Sequence, residues 1–296
     1  MDREDATPVD RPLGPFPAAV LFLHGQPGSA RDWKAVVHLL GVAAPATRAV
    51  VPDRPGWGSS SEAPGGLFDN ADHLVDVLED AGAGPVVVVG HSWGGGVALA
   101  FAARHPRRVA GLVLAGSLNP TQEPGILDAV FGLVVAGPIL ARLYERFLAN
   151  FPRMRRTRRL LARRYPRRPD EDLRREFVQA YRSWLRPGMW RSLVVEERRY
   201  RGEQHVLRGD LHRILVPAIV LVGDRDEFET VGAAQALADA LPRGVLSTIA
   251  DAGHGIPWSR PGVFVRAIAD AVSAASDPHP HPRVSGRGAR ASGSGS

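Results

Sequence analysis

Six short apolar runs constrain this chain more than any other feature: AAVLFLH (18–24), RAVVPD (48–53), PVVVVG (85–90), AGLVLAG (110–116), PAIVLVG (217–223) and VLSTIA (245–250). Successive side chains of a strand point to opposite faces, so a strand with one wet face alternates apolar with polar residues. These runs are nearly continuous instead, the pattern of strands covered on both sides. Amphipathic stretches lie between them, at roughly 69–82, 94–105, 231–241 and 261–275. This succession predicts the α/β class, with a mostly parallel, doubly wound sheet and helices on both faces. Functional loops are then expected at the carboxyl ends of the strands.

The regularity breaks at 117–213, where about 95 residues separate two strands that elsewhere lie about 20 to 35 apart. LARLYERFLANF (140–151) and DLRREFVQAYRSWL (172–185) have helical apolar spacing, so the insert reads as a helical cap over the strand ends. Its most apolar stretch, 126–140, has 15 residues and carries Asp128, two glycines and Pro138. That is short of the roughly 20 residues a bilayer span needs, so no stable membrane insertion is expected. The expected organisation is a flexible lead-in (1–17), a core (18–116 and 214–275), the cap (117–213) and a disordered Pro/Gly/Ser/Arg-rich tail (276–296).

Charge follows the same division. The whole chain carries a net +6, yet residues 142–213 alone hold 21 arginines against 9 acidic residues. The remainder is net negative, so basicity belongs to the insert. A solvated basic face explains it without nucleic acid, for which no recognition motif is present. Residues 1–17 hold four acidic residues and four prolines with no apolar core, so a cytoplasmic location is expected. There is no cysteine, which removes thiolate metal sites and a cysteine nucleophile. Two histidines in the HPHP of the tail make a poor ligand set, and no metal is expected.

The run 86–95 reads VVVVGHSWGG. Gly90-His91-Ser92-Trp93-Gly94 fits G-x-S-x-G directly after a predicted strand and before a predicted helix, the context in which that motif has meaning. A sharp strand-to-helix turn lifts a hydroxyl clear of the sheet, and glycine at either side leaves it room. A serine is a weak nucleophile until a base takes its proton and an acid orients the base. LVGDRDEF (221–228) offers Asp224 and Asp226 after one strand, and DAGHGI (251–256) offers His254 after the last. An oxyanion hole needs backbone N–H groups. Trp93 would supply one, and Gln26, in the loop His24-Gly25-Gln26-Pro27-Gly28, the other, because Pro27 cannot donate.

On these residues the chain resembles the α/β-hydrolases, in their serine-nucleophile, esterase-like branch with a helical cap. HGQPGS resembles that family's HG-x-P-G loop, DRPGWGSS (53–60) its D-x-x-G-x-G-x-S turn, and RHPRRVAGLVL (104–114) its helix-to-strand passage. The resemblance implies that the acid stands at the last position of Gly223-Asp224-Arg225-Asp226, hence Asp226. It also implies structural positions for Asp53, His91 and His105. Tryptophan after the nucleophile together with HG-x-P is similar to haloalkane dehalogenases and epoxide hydrolases, which use aspartate where this chain has Ser92. The short lead-in leaves little room for the family's usual opening strand pair, so a sheet reduced by one or two strands is expected.

The resulting expectation is hydrolysis of a small or medium acyl compound, a carboxylic ester first, by Ser92, His254 and Asp226 without a cofactor. Trp33, Trp57, Asn119 and Phe131 are expected near the acyl pocket by position. The same triad also serves C–C bond hydrolysis, thioester hydrolysis, peracid formation and aminopeptidase action, the last disfavoured by an arginine-rich cap. A ligand-binding receptor built on the same scaffold is the alternative of a different class.

Overall fold

The computed structural model describes residues 15–123, 136–150 and 188–276. In chain order the elements are β1 (Ala19–Leu23), α1 (Lys34–Ala43), β2 (Arg48–Val50), α2 (Leu67–Asp80), β3 (Val86–His91), α3 (Trp93–Arg104) and β4 (Val109–Ala115). There follow α4 (Ala136–Asn150), α5 (Met189–Asp210), β5 (Ala218–Gly223), α6 (Val231–Ala240), β6 (Gly244–Ile249), the short α7 (Ile256–Ser259) and α8 (Gly262–Ser276). Most of the expected lead-in, the tail from 277, the helical pattern at 172–185 and Phe131 lie outside the described residues.

The strands form one sheet in the order β2-β1-β3-β4-β5-β6, and every neighbouring pair is parallel. They coincide with the six apolar runs, although β2 keeps only three residues of its run. Two-sided burial is the reason the runs are continuous. Val86 and Val88, with Leu21, Leu23, Leu112 and Leu114, join one core shared with residues of α2, α3, α5 and α6. Val87 and Val89, with Val20, Phe22 and Val113, join a second core shared with α1 and α8. Each such Val or Leu, fully buried, contributes about 1.5–3 kcal/mol from removal of apolar surface. The edges depart from that pattern: every residue of β2 is at least partly exposed, and β6 buries only Ile249.

Two helices differ from expectation. α3 is not amphipathic but buried from Trp93 to Ala102, because it lies between the sheet and the layer made by α2 and α5, and its glycines and alanines permit that approach. α5 closes the insert, yet Tyr200 and Leu207 on it belong to the same core cluster as α2 and α3. Leu67 N, in the first turn of α2, donates to Glu203 Oε2 of α5 at 2.5 Å. The insert therefore ends in a helix that is continuous with the core. Among the described residues, no helix is long and apolar enough to cross a membrane.

The strand order reverses once, between β1 and β3, and the carboxyl edge of the sheet at such a reversal is where a binding crevice is expected.

Candidate active site

β3 ends at His91 and α3 begins at Trp93, which leaves a single residue to turn the chain. Ser92 does so at φ 53°, ψ −124°, a conformation that non-glycine residues rarely adopt and that must be held by its surroundings. Its N–H donates to Ala115 O at 3.0 Å, and its carbonyl accepts from Gly95 N at 2.9 Å and Leu118 N at 2.8 Å. The turn leaves no room for side chains beside it. A Cβ on Gly90 would stand 2.4 Å from Gly94 O, and one on Gly94 would stand 2.2 Å from Leu23 O.

His254 and Asp226 meet above the end of β4. His254 Nδ1 lies 2.9 Å from Asp226 Oδ2 and 3.1 Å from Oδ1. A Cβ on Gly116, the residue after β4, would come within 3.0 Å of both Asp226 Oδ2 and His254 Nδ1. Burial raises the affinity of the Asp226 carboxyl for a proton. The bond from His254, its charge, and the N–H groups of Glu229 (3.1 Å) and Phe228 (2.9 Å) on Oδ1 outweigh that and hold it below the usual carboxylate range. An ionised Asp226 accepts a hydrogen bond from His254 Nδ1–H, which keeps the proton on Nδ1 and leaves Nε2 as the accepting nitrogen. Asp224 is exposed, and its backbone N–H joins Ile249 O at 3.0 Å.

His91 connects this pair to Ser92. Its ring centroid is 4.9 Å from that of His254, and its Nε2 donates to His254 O at 2.9 Å. Burial, then the neighbouring His254, push its pKa down to about 3, so it is a neutral brace. Asp53 is equally architectural, accepting from Ala30 N, Ser59 N and Ser59 Oγ, each at 2.7 Å. His105 meets Asp72 Oδ1 at 2.8 Å on the outer side of α3.

The loop after β1 passes directly beside Ser92, since a Cβ on Gly25 would lie 3.0 Å from Ser92 Cβ. Neither Gln26 N nor Trp93 N donates to another backbone group among the described residues. The Trp93 ring is buried edge-on against Tyr200, with centroids 5.6 Å apart. The Gln26 side chain does not point to solvent: Nε2 donates to Glu196 Oε2 at 2.7 Å. Glu196 Oε1 accepts from Trp57 Nε1 at 2.9 Å and from Arg54 Nη1. Arg54 and Glu196 are buried almost completely, at 1% and 0% side-chain exposure. Burial pushes the Glu196 carboxyl up, against three donors that favour its ionised form. Neither residue was anticipated from the sequence. A signal existed: Glu196 shares a helix face with Leu193 and Tyr200, three residues before and four after, both buried.

The residues expected to line a pocket are placed differently. Trp33 is fully buried in the core behind the sheet, between Phe22 and Phe264 with ring centroids 5.2 Å away in each case. Trp57 is spent on Glu196. Asn119 is buried and saturated: Nδ2 donates to Glu229 Oε1 (3.0 Å) and Ala233 O (2.8 Å), while Oδ1 accepts from Thr121 N (2.9 Å) and Oγ1 (2.7 Å). It fastens the chain as it leaves β4. Phe131 lies outside the described residues.

Loops from β1, β3, β5 and β6 thus converge at one crevice of a parallel sheet, the architecture of an α/β hydrolase. The chain belongs to the alpha/beta hydrolase family, whose profile matches residues 20–267. It is 40% identical to lipase LipV of Mycobacterium tuberculosis over 118 residues, 38% of this chain and 44% of that one. It is 30% identical to 2-hydroxymuconate semialdehyde hydrolase of Pseudomonas putida over 241 residues, 78% of this chain and 79% of that protein. A thermophilic esterase from Thermogutta terrifontis has the same fold, with a TM-score of 0.66 and 24% identity over 88% of this chain and 92% of the other. The chain is an enzyme of the hydrolase type.

Proposed function

We propose that this enzyme is a serine hydrolase that cleaves a small or medium acyl compound, a carboxylic ester first, through an acyl-enzyme on Ser92. The observation that carries this reading is a serine held at φ 53° on the strand-to-helix turn, whose neighbour His91 packs 4.9 Å from a histidine that is itself bonded to a buried carboxylate at 2.9 Å.

His254 Nε2 takes the proton of Ser92 Oγ as the oxygen attacks the carbonyl carbon, and later returns it to the departing alkoxide. Asp226 keeps His254 in the required tautomer and stabilises the imidazolium. Charge that develops on the carbonyl oxygen is met by the N–H groups of Gln26 and Trp93, the latter at the amino end of α3, where the helix dipole favours an anion. Water then attacks the acyl-enzyme with His254 as base. Every step moves protons and acyl groups only, so the chemistry calls for no cofactor.

A second reading, C–C bond hydrolysis of a diketone-type substrate by the same residues, is prompted by the likeness to the 2-hydroxymuconate semialdehyde hydrolase of Pseudomonas putida over most of the chain. Intact-mass analysis after exposure to a fluorophosphonate, on wild type and Ser92→Ala, tests the nucleophile. A p-nitrophenyl ester chain-length series and a 2-hydroxymuconate semialdehyde assay run beside it. One phosphonyl adduct, lost in the variant, with turnover of an ester supports the first reading. Preference for the semialdehyde supports the second. A folded wild type that takes no adduct rejects both and favours a ligand-binding role.

A further inference from the structure

We infer that Arg54 and Glu196 are positioning residues that aim the Gln26 N–H at the oxyanion, and that the helix closing the insert thereby sets the competence of the site. The inference rests on the serine-hydrolase reading above.

The peptide group joining Gly25 and Gln26 is planar, so the Gly25 carbonyl and the Gln26 N–H are the two ends of one rigid unit and point in opposite directions. Whatever fixes the carbonyl therefore aims the N–H. Gly25 O accepts from Arg54 Nη2 at 3.0 Å and from His24 Nδ1 at 2.9 Å. His24 can give that proton because its Nε2 accepts from Arg54 N at 3.0 Å, and burial, then the Arg54 charge, push its pKa down to about 3. Arg54 also donates through Nε to His24 O at 2.9 Å and, through Nη1, to Asn70 Oδ1 at 3.5 Å.

The guanidinium is thus committed on the loop side to two successive carbonyls, those of His24 and Gly25. On its far side it meets Glu196. That carboxylate neutralises Arg54 through Oε1 and holds the Gln26 side chain through Oε2 at 2.7 Å, so a single residue grips the loop at both of its ends. Glu196 lies on α5, which also carries Tyr200 against Trp93, the residue of the second N–H donor. Both donors are consequently braced from one helix. A displacement of α5 would release Gln26 and Arg54 together and turn the peptide plane. No other charged side chain holds Arg54 among its described contacts, and His24 Nδ1 is the one further donor on the Gly25 carbonyl that is described.

The test uses the full-length enzyme with two variants, R54M/E196Q and Q26M. The first removes both buried charges at once, so neither is left unpaired. The second removes only the Glu196 Oε2 contact and keeps every backbone donor. Readouts are kcat and KM on the best p-nitrophenyl ester, thermal midpoint, and inhibition by a trifluoromethyl ketone of the same acyl chain. Ser92 adds to that carbonyl to give a hemiketal oxyanion, its proton passing to His254. Loss of one oxyanion donor lowers kcat by about 10²–10³-fold, and misaiming it should cost a share of that. The expected result is a kcat lower by about 10- to 100-fold in R54M/E196Q and about tenfold in Q26M, with KM within threefold. Affinity for the ketone should fall in parallel. Folded variants of either kind that retain wild-type kcat and ketone affinity overturn the inference, even if their thermal midpoints fall. Should the double variant not fold, Q26M alone decides. Failure of the serine reading has another signature, a wild type that takes no phosphonyl group at all.

Discussion

Glu229 carries a stability cost whose pH dependence can be worked out in advance. It is 5% exposed, three residues beyond Asp226, and its Oε1 accepts from Asn119 Nδ2 at 3.0 Å. Burial, then the Asp226 charge, push its pKa up to about 7 from 4.5, against the Asn119 bond and the charge of His254. The folded protein therefore keeps a proton that the unfolded chain releases between pH 4.5 and 7. Stability tied to this group is fully present below pH 4.5 and is lost as pH rises through 7. At about 1.4 kcal/mol per pH unit of that gap, the loss approaches about 3 kcal/mol above pH 8. Glu229→Gln preserves the shape and the acceptor for Asn119 but cannot titrate. Urea unfolding of both proteins at fixed ionic strength should show the variant gaining on wild type by about 2 to 3 kcal/mol between pH 5 and pH 8. Titrations of groups that do not interact with Glu229 are common to both proteins and cancel in the difference. A difference that stays constant with pH would falsify the assignment of a buried, protonated Glu229.

Three further outcomes follow from the geometry. Asp226→Asn should lower kcat by about 10³–10⁴-fold, since the amide stabilises neither the tautomer nor the imidazolium of His254, whereas Asp224→Asn should stay within about twofold in the same ester assay. Gly94→Ala would drive a methyl group to 2.2 Å from Leu23 O, and thermal melts should show a loss of roughly 3 kcal/mol or more, or no folded protein. Trp33→Phe should leave KM for every ester within about twofold while destabilising the fold by about 1–2 kcal/mol, because the ring is part of the rear core rather than of a pocket.

The strands were legible in the sequence because two-sided burial imprints an unbroken apolar run, and only buried strands leave that trace at such short length. α2, α6 and α8 were legible as single-faced helices. α1 was not, because Leu39 and Val42 are exposed and blur its stripe. α5 was missed for the opposite reason: Ser192, Glu196, Glu197 and Gln204 are buried polar residues on its inner face, so its pattern reads as a solvated helix. Hydrophobic periodicity records where apolar groups go and is silent about a polar group buried with its partner.

The same distinction separates what was readable at the crevice from what was not. Ser92, Asp226 and His254 announce themselves because each follows closely on a strand, with glycines two residues either side of Ser92, on both sides of His254 and three residues before Asp226. Their surroundings in sequence are their surroundings in space. Trp33 and Trp57 follow loops of the crevice as closely, but nothing local states which side of the sheet a ring will face, and the fold sends one behind the sheet and spends the other on a carboxylate. Arg54 and Glu196 are 142 residues apart and meet only after the insert has folded back. A long-range ion pair of this kind is specified by packing of α5 against α2 and α3, and so it lies beyond any local pattern. On the proposed reading, the residues assigned to bond making are written locally, whereas those proposed to aim the loop are written in tertiary contacts. Substitutions on the inner face of α5 should therefore alter turnover without touching any residue of the sequence motifs.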